Sequence, residues 1–527
     1  MKQKFLALLS AAVALGASFC GFGCAAQEDS LVLRVANWEE YIDLGDWDEE
    51  EAIGLENPFL GEDVIFGENS MIDDFTEWFN AQDYGFEVSV EYSTFGTNED
   101  LYNRLNLGDV YDLVCPSEYM IMKLIAEDRI QPFSEDFKNP DVEHNYYAQY
   151  VSSYIDCAED SIFVQHGWDR YAACYMWGTT GFVFHPDEIE NETDVDSWNI
   201  LTNSDYAKRV TVKDNVRDAY FAALGILNLE ALLAEGIDGE ARSALLNATD
   251  AATIAGAEDI LKEIKRNVYS FETDSGKSDM VTGKVIANYQ WSGDAVYILD
   301  IAEDENDVEL WYSVPQECTN LYFDGWTMLK AGVEGDEKKQ IAAEAFINFL
   351  SRPDNAVRNM YYIGYTSSIA GDLVFDYMDY NYGAVLDPES EDYCELTTLY
   401  EYDLSYFFGK EALLYADIDS LDAKGAVRKG TISEGGVSYD VYEGGTISHG
   451  RQLLAQYPTE EVIDRSVIML DFGDRLSEIN QMWINVRCLD LKDINPAVLW
   501  PCVVLAVAVL ALLFVYLFRN AIPGKKK

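Results

Sequence analysis

Positively charged residues are scarce in this chain of 527 residues. Lysine and arginine total 36, against 94 aspartates and glutamates, so the formal net charge is −58. So few cations argue against nucleic-acid binding, because neutralising phosphates requires a basic surface. The charge also disfavours anionic substrates and anionic membrane surfaces, whereas it suits a cationic ligand. An acidic exterior that only keeps the protein soluble would give the same composition, so both interpretations stay open at this point.

Histidines at ligand spacing and paired cysteines are also lacking. The four histidines show no HExxH pattern, and no CxxC pair occurs. A metal site or a thioredoxin-like site is therefore not indicated, and we predict neither a metal nor a cofactor. Apart from two cysteines in the N-terminal leader and one in the apolar C-terminal segment, the cysteines are widely scattered: Cys115, Cys157, Cys174, Cys318, Cys394 and Cys488. Disulfides among these are optional in so large a chain.

Residues 1–26 have the layout of a secretory signal peptide. Lys2 and Lys4 precede an apolar run over residues 5–17, and small residues follow. Two processing routes fit this layout. One is ordinary cleavage after Ala26, and the other is lipoprotein processing at Cys24. We favour ordinary cleavage, because an anchor is predicted at the other end of the chain.

The segment 496–518 near the C-terminus is apolar and carries no charge. It is long enough to cross a hydrocarbon core of about 30 Å as a helix. Arg519 and three lysines at 525–527 follow it, so the positive-inside rule places the tail 519–527 in the cytoplasm. The sequence thus predicts an extracytoplasmic protein that one C-terminal helix anchors in the membrane.

Strand-like and helix-like segments alternate through the rest of the chain. This order predicts an α/β fold in which helices cover a parallel sheet. The predicted strands are 31–36, 86–92, 111–115, 181–184, 209–212 and 285–289. The predicted helices are 71–80, 98–107, 120–127, 219–227, 338–350 and 464–486. Residues 44–69 have no clear period and are predicted to be a loop or an inserted element. Residues 388–450 are acidic and rich in tyrosine and glycine, and we interpret them as an insertion.

Aromatic and acidic residues recur together just after these strands. Trp38 and Tyr41 flank two glutamates after the first strand, Trp291 follows a later strand, and Tyr322 lies two residues before Asp324. Ligands of open α/β sheets bind outside the carboxyl ends of the strands. An aromatic face and a carboxylate together suit an ammonium group, and an alkyl diamine needs that combination at each end. Taken singly, each residue is as well explained as a core aromatic or a helix cap.

Several sequence runs carry a more specific resemblance. They are LRVANWEEYID, FEVSVEYSTFGTNEDLYNRL, YDLVCPSEYMIMKLI, YMWGTTG, VKDNVRD, NYQWSGDAVY, FINFLSRPDNA and IGYTSS. Over residues 31–375 and 464–486 the chain resembles the spermidine/putrescine-binding proteins of bacterial ABC importers. The resemblance implies a two-lobed periplasmic-binding-protein fold of type II with a hinge. It also implies that the protein is not an enzyme.

The resemblance identifies candidate ligand-binding residues. Those that match the family pattern are Trp38, Glu40, Tyr41, Ser117, Tyr119, Asp218, Trp291, Asp324 and Tyr365. Three further candidates depart from it. Glu39 replaces a smaller polar residue, Asn215 stands where some members have a second aspartate, and Tyr322 stands for a tryptophan. The family's late glutamine falls near Met469. These departures leave the choice between putrescine and spermidine open.

The implied activity is capture of a polyamine by lobe closure and delivery to an ABC permease with its cytoplasmic ATPase. Three alternatives remain, namely a receptor for another small cationic or polar solute, a membrane-tethered ligand sensor, and an extracellular hydrolase that uses two carboxylates. The approximate boundaries are 27–136 and 324–372 for lobe I, 137–323 and 373–487 for lobe II, an acidic insertion near 388–450, and a juxtamembrane linker at 488–495.

Overall fold

The computed structural model describes residues 30–161, 167–273, 275–386 and 398–488, together with the single residues 388, 390, 393, 396 and 508. The predicted signal peptide and basic tail lie outside these residues. So does the predicted membrane helix, apart from residue 508. Among the helices that the structure describes, none has both the length and the apolar character that crossing a membrane requires.

The first lobe is built on a parallel sheet at the N-terminal end. In its first strand Leu33, Val35 and Ala36 are fully buried, as expected for a strand that helices cover. The strands are β1 (Ser30–Trp38), β2 (Glu87–Phe95), β3 (Leu113–Val114) and β4 (Ile130–Gln131). β1 is parallel to both β2 and β3. The early helices are α1 (Met71–Asn80), α2 (Asn98–Leu107), α3 (Glu118–Ala126), α4 (Tyr146–Tyr150), α5 (Ser153–Ser161) and α6 (Trp168–Tyr171).

Two long strands join the lobes, β5 (Ala172–Phe184) and β10 (Leu321–Leu329). Both are buried over their whole length. They pair antiparallel with each other, and their register shifts between Asp324 and Gly325. The C-terminal end of β10 pairs with β3 of the first lobe. The C-terminal end of β5 pairs with strands of the second lobe. The crossing strands therefore carry the junction between the lobes.

The second lobe has its own parallel strands on the far side of β5. They are β6 (Val210–Lys213), β7 (Ser270–Glu272), β8 (Ala287–Trp291) and β9 (Trp311–Ser313). β6 is parallel to β7 and β8, whereas β8 and β9 pair antiparallel with β5. The helices here are α7 (Val216–Leu227), α8 (Leu229–Leu232), α9 (Gly239–Leu246), α10 (Ala251–Asn267), α11 (Ser275–Val281) and α12 (Ser292–Asn306).

The chain after β10 returns to the first lobe and then adds a β-rich segment. The helices that follow β10 are α13 (Lys330–Val333), α14 (Glu337–Leu350), α15 (Pro353–Ile363) and α16 (Asp372–Tyr382), with β11 (Thr366–Ser367) between the last two. The β-rich segment contains β12 (Thr398–Asp403), β13 (Leu413–Asp417), β14 (Leu421–Lys424), β15 (Val427–Glu434), β16 (Val437–Glu443) and β17 (Thr446–Gly450), with α17 (Ser405–Phe408). Four of these strands form a separate sheet in the order β13-β12-β16-β15, while β17 and β14 extend the main sheet beyond β9.

The region predicted as an insertion is thus ordered where the structure describes it, and it packs against the crossing strands. Phe407 stacks on Trp177 of β5 with ring centroids 5.4 Å apart. The Oγ of Ser152 donates a hydrogen bond of 2.6 Å to the carbonyl of Phe407. The sequence predicted an insertion here but not its strands, because short strands rich in tyrosine and glycine show no sustained period.

One predicted helix is wrong in its middle, where ten of its 23 residues, 466–475, lie outside the α-helices. Residues 464–486 were expected to form one helix, but the chain forms α19 (Glu460–Arg465), an irregular segment, and then α20 (Leu476–Arg487), after α18 (Gln452–Gln456). The irregular segment includes Gly473 with a φ of 53°, a left-handed conformation that interrupts a helix. Val467 forms a β-bridge with Asn320. The segment is therefore held against the lobe junction instead of continuing the helix.

Candidate functional site

A cleft of about 170 Å³ lies where the strands of both lobes end. Trp38 is the last residue of β1 and Trp291 the last of β8, so both lobes present the carboxyl ends of strands to it. All of the side chains predicted to bind ligand line this cleft: Trp38, Glu39, Glu40, Tyr41, Ser117, Tyr119, Asn215, Asp218, Trp291, Tyr322, Asp324 and Tyr365. Met469, from the irregular segment before α20, lines it as well.

Asp324 lies at the register shift of β10, between the two lobes. Its side chain is buried, with 6% exposure. The hydroxyl of Tyr41 donates a hydrogen bond of 2.7 Å to Oδ2, and that of Ser117 donates one of 2.7 Å to Oδ1. Burial raises the pKa of Asp324 to about 6, although these two hydrogen bonds act to lower it. The charge of Asp218 raises the pKa further. Among the residues described, no cation forms an ion pair with this carboxylate, so its charge is uncompensated.

Asp218 is a second buried acid, at the start of α7. Asn215 caps this helix, and its Oδ1 accepts a hydrogen bond of 2.8 Å from the backbone N–H of Asp218. The Asn215 side-chain amide also donates to Oδ2 of Asp218 at 2.5 Å. Burial raises the pKa of Asp218, although Asn215 and the charge of Lys213 oppose the effect. Asn215 thus orients an acid of the cleft, in the position where some members of the resembling family have a second aspartate.

A third acid, Asp294 near the start of α12, is compensated by two lysines. Lys213 Nζ lies 3.4 Å from its Oδ2, and Lys277 Nζ lies 3.0 Å from its Oδ1. Burial alone would raise the pKa of Asp294, but Lys277 and Lys213 lower it below its usual value. Lys213 also lies over the ring of Trp291, 3.9 Å from its centroid. This end of the cleft therefore already holds two ammonium groups of the protein.

Aromatic rings form the walls between these acids. Tyr41 and Tyr365 meet edge to face with centroids 4.7 Å apart, and Tyr322 lies 6.4 Å from Tyr365. The ring of Tyr365 rests directly on Gly293, where an added Cβ would come within 2.2 Å of the tyrosine Cγ. Only glycine permits this approach. Rings of this kind can pack against methylene groups and attract a cation to their faces.

Two exposed glutamates, Glu39 and Glu40, lie beyond these walls, in the turn after β1. Glu40 has a φ of 54°, in the left-handed region that a residue with a side chain rarely adopts. Its Oε2 lies 3.5 Å from Nζ of Lys277. Because Glu40 belongs to the first lobe and Lys277 to the second, this ion pair spans the cleft.

Sequence reasoning missed several residues that also line the cleft: Asn98, Glu99, Glu118, Thr273, Lys277, Asp294 and Asn320. Glu118 follows Ser117 in a motif already singled out, and Asp294 lies three residues after Trp291, so proximity to the motifs could have identified both. Burial raises the pKa of Glu118 to about 8. Asn320 is buried, and its Oδ1 has no hydrogen-bond partner among the described residues. Lys277 had no sequence signal, since it lies on α11, outside all of the motifs.

A larger cavity of about 590 Å³ lies elsewhere, between α12, α15, α16 and the β-rich segment. It is lined by acids and tyrosines, among them Asp300, whose pKa burial raises to about 6. Gln452 donates a hydrogen bond of 2.8 Å to Asp300. None of the predicted ligand-binding residues reaches this cavity. We therefore take the smaller cleft between the lobes as the candidate site.

A cleft between two α/β lobes joined by crossing strands, with acids and aromatic rings from both lobes, defines a two-lobed binding protein. The model of the family "Bacterial extracellular solute-binding protein" matches residues 70–371, more than half of the chain, and the chain belongs to this family. The resemblance inferred from the sequence motifs is thereby confirmed at the level of the family.

Known proteins with similar sequences and folds agree with this assignment. The chain is 26% identical over 355 residues to the spermidine/putrescine-binding periplasmic protein of Salmonella typhimurium, covering 67% of this chain and 82% of the relative. It is 23% identical over 360 residues to the putrescine-binding periplasmic protein SpuD of Pseudomonas aeruginosa, covering 65% and 79%. The solved TpPotD lipoprotein of Treponema pallidum shares the fold, with a TM-score of 0.51, 17% identity and coverage of 86% and 99%.

Proposed function

We propose that this protein binds a polyamine of the putrescine or spermidine class in the cleft and delivers it to an ABC permease with its cytoplasmic ATPase. The observation that carries the proposal is Asp324, a buried carboxylate whose charge no described cation compensates. Burying an unpaired charge is costly, whereas a charge paired with an ammonium group in the same place is stabilised. The names of the Salmonella and Pseudomonas relatives point to the same class of ligand.

Each predicted residue has a defined role in this proposal. A terminal ammonium of the ligand donates hydrogen bonds to Asp324 and is neutralised by it together with Asp218. The rings of Tyr41, Tyr322 and Tyr365 pack against the methylene chain and attract the positive charge. Ser117 and Asn215 keep the two carboxylates oriented through the hydrogen bonds described above. Trp38, Tyr119 and Trp291 complete the walls. Glu39 and Glu40 contribute negative charge at the mouth of the cleft.

Lobe closure follows from the distribution of these groups. Tyr41 and Ser117 come from the first lobe, Asp218 and Trp291 from the second, and Asp324 from a crossing strand. A ligand makes all of these contacts only when the lobes are together, so it favours the closed arrangement. The role is binding and transfer without chemical change of the ligand, so the proposal does not include an enzymatic activity.

The location is the extracytoplasmic side of a bacterial membrane. We further propose that the 496–518 segment anchors the protein there, with lipidation at Cys24 as the alternative. A tether of this kind would hold the receptor near its permease at an effective concentration on the order of millimolar. The lobe and linker boundaries predicted from the sequence belong to this proposal as well.

Isothermal titration calorimetry with putrescine, cadaverine, spermidine and spermine tests the proposal. We expect at least one of them to bind with a Kd in the micromolar range or tighter. The Asp324→Asn variant should weaken that binding about a hundredfold or more, because it removes one partner of a buried charge pair. Asp63→Asn, which changes an exposed acid far from the cleft, is the matched control and should bind normally. Absence of binding by all four amines to the natural protein would refute the proposal.

A further inference from the structure

We infer that Lys277 is an ammonium group supplied by the protein that closes one end of the cleft, so that the site takes a short diamine in preference to a longer polyamine. The inference rests on the proposed function and narrows its ligand. It concerns a residue outside the motifs of the resembling family, and it assigns that residue a role in selecting ligand length.

The position of Lys277 is fixed by two acids. Its Nζ lies 3.0 Å from Oδ1 of Asp294 and 3.5 Å from Oε2 of Glu40. The side chain is 19% exposed, so it lies largely within the cleft and not on the outer surface. In this place it makes the contacts that a terminal ammonium of a ligand would make with the same two carboxylates. A ligand nitrogen must therefore displace Lys277 to reach them.

Lys213 reinforces the effect at the same end. Its side chain is buried, with 1% exposure, and it contacts both Asp294 and the face of Trp291. The backbone carbonyl of Thr273 accepts a further hydrogen bond of 3.2 Å from its Nζ. Asp294 and the face of Trp291 could otherwise hold a cation of the ligand. Lys213 already occupies both.

Two other acids of the cleft form no ion pair among the described residues. Asp324 and Asp218 are both buried, and burial raises the pKa of each, although the charge of Lys213 opposes the effect at Asp218. Arg217 also lines the cleft, and its guanidinium packs against the rings of Tyr119 and Phe472, at 3.9 and 3.6 Å from their centroids. The cleft therefore offers Asp324 and Asp218 to one ligand ammonium, and the exposed Glu39 of the turn after β1 remains for a second ammonium near the mouth.

The two candidate ligands differ in length. Putrescine has two nitrogens and four carbons. Spermidine carries four more non-hydrogen atoms and a third charge, and these would have to occupy the region that Lys277 fills.

The test is calorimetry on the purified full-length protein with putrescine and spermidine. We expect the natural protein to bind putrescine about tenfold or more tightly than spermidine. Lys277→Ala should remove this preference by strengthening spermidine binding about tenfold, since it frees Glu40, Oδ1 of Asp294 and the space beside them. Lys277→Arg retains the cation and should retain the preference.

Lys284→Ala is the matched control. Lys284 follows α11, is half exposed and pairs with Asp279 at 2.8 Å, outside the cleft, so its removal should leave the ratio of the two Kd values unchanged. Equal binding of both amines by the natural protein, or an unchanged ratio in Lys277→Ala, would overturn the inference while leaving the proposed function standing. Binding of neither amine, nor of cadaverine or spermine, would overturn both.

Discussion

The uncompensated charge of Asp324 leads to a prediction about stability as well as binding. Replacing it with asparagine removes the charge and keeps the shape of the side chain. We expect the Asp324→Asn variant to unfold at a higher urea concentration than the natural protein at pH 7 without ligand, although it has lost its ligand affinity. A residue that lowers the stability of the fold but is needed for ligand binding is typical of a functional site.

The magnitude follows from the pKa. Burial raises the pKa of Asp324 from 3.8 to about 6, a difference of about two pH units. At about 1.4 kcal/mol per unit, the ionised carboxylate destabilises the folded protein by about 3 kcal/mol at pH 7. Because the folded state binds this proton more tightly than the unfolded state, the penalty is absent below about pH 4. It grows as the pH rises to about 6 and is constant above that value.

The assay is equilibrium urea unfolding of both proteins between pH 4 and pH 7.5. The stability advantage of the variant should be largest at pH 7 and should disappear near pH 4. Asp63→Asn, as an exposed control, should show no such difference. Two results would refute this prediction: an Asp324→Asn variant that is less stable than the natural protein at pH 7, or a stability advantage that does not depend on pH. Either would mean that the buried carboxylate does not destabilise the folded protein.

Three further predictions concern the same cleft. Polyamine affinity should fall about tenfold per pH unit below about pH 6, because Asp324 must lose its proton to pair with the ligand. Calorimetry between pH 5 and pH 8 measures this dependence. An affinity that is constant over this range would contradict the role of Asp324 as the carboxylate that binds the ammonium. Gly293→Ala places a Cβ within 2.2 Å of Tyr365 and should weaken polyamine binding about tenfold or more by displacing the ring. Gly430→Ala is the control and should have no effect, because a Cβ there meets nothing within 4 Å. Glu118→Gln should leave the Kd at pH 7 within about twofold, because burial raises the pKa of Glu118 to about 8 and the natural side chain is already neutral there; a large loss would show that the ionised form is needed.

Local sequence patterns predicted some elements of the fold closely. The helices at 71–80 and 98–107 have the predicted bounds, since each combines a helical apolar period with a serine or threonine cap. The crossing strand β5 was recognised only in its last four residues, because it is buried on both faces and lacks the alternation that marks a half-exposed strand. The mispredicted helix before α20 failed for a tertiary reason, since the irregular segment pairs with the lobe junction.

The candidate site shows the same division between local and long-range information. Residues at the carboxyl ends of strands, such as Trp38 and Trp291, could be placed in a cleft from topology alone. The charge balance of the cleft could not be predicted in this way, because Lys277 reaches the cleft from a separate helix and pairs with Glu40 of the other lobe. An isolated lysine carries no pattern that distinguishes it from a solvated surface charge.

The position of Asp324 on a crossing strand links its burial cost to lobe movement. Both lobes contribute the groups that enclose it, and the carboxylate carries the penalty as long as the cleft is closed and empty. A bound ammonium pairs with the carboxylate where water is excluded, so it removes a cost of about 3 kcal/mol, which corresponds to about a hundredfold in an equilibrium constant. The same residue would thus destabilise the empty closed arrangement and stabilise the loaded one, and this difference favours closure of the lobes around a ligand.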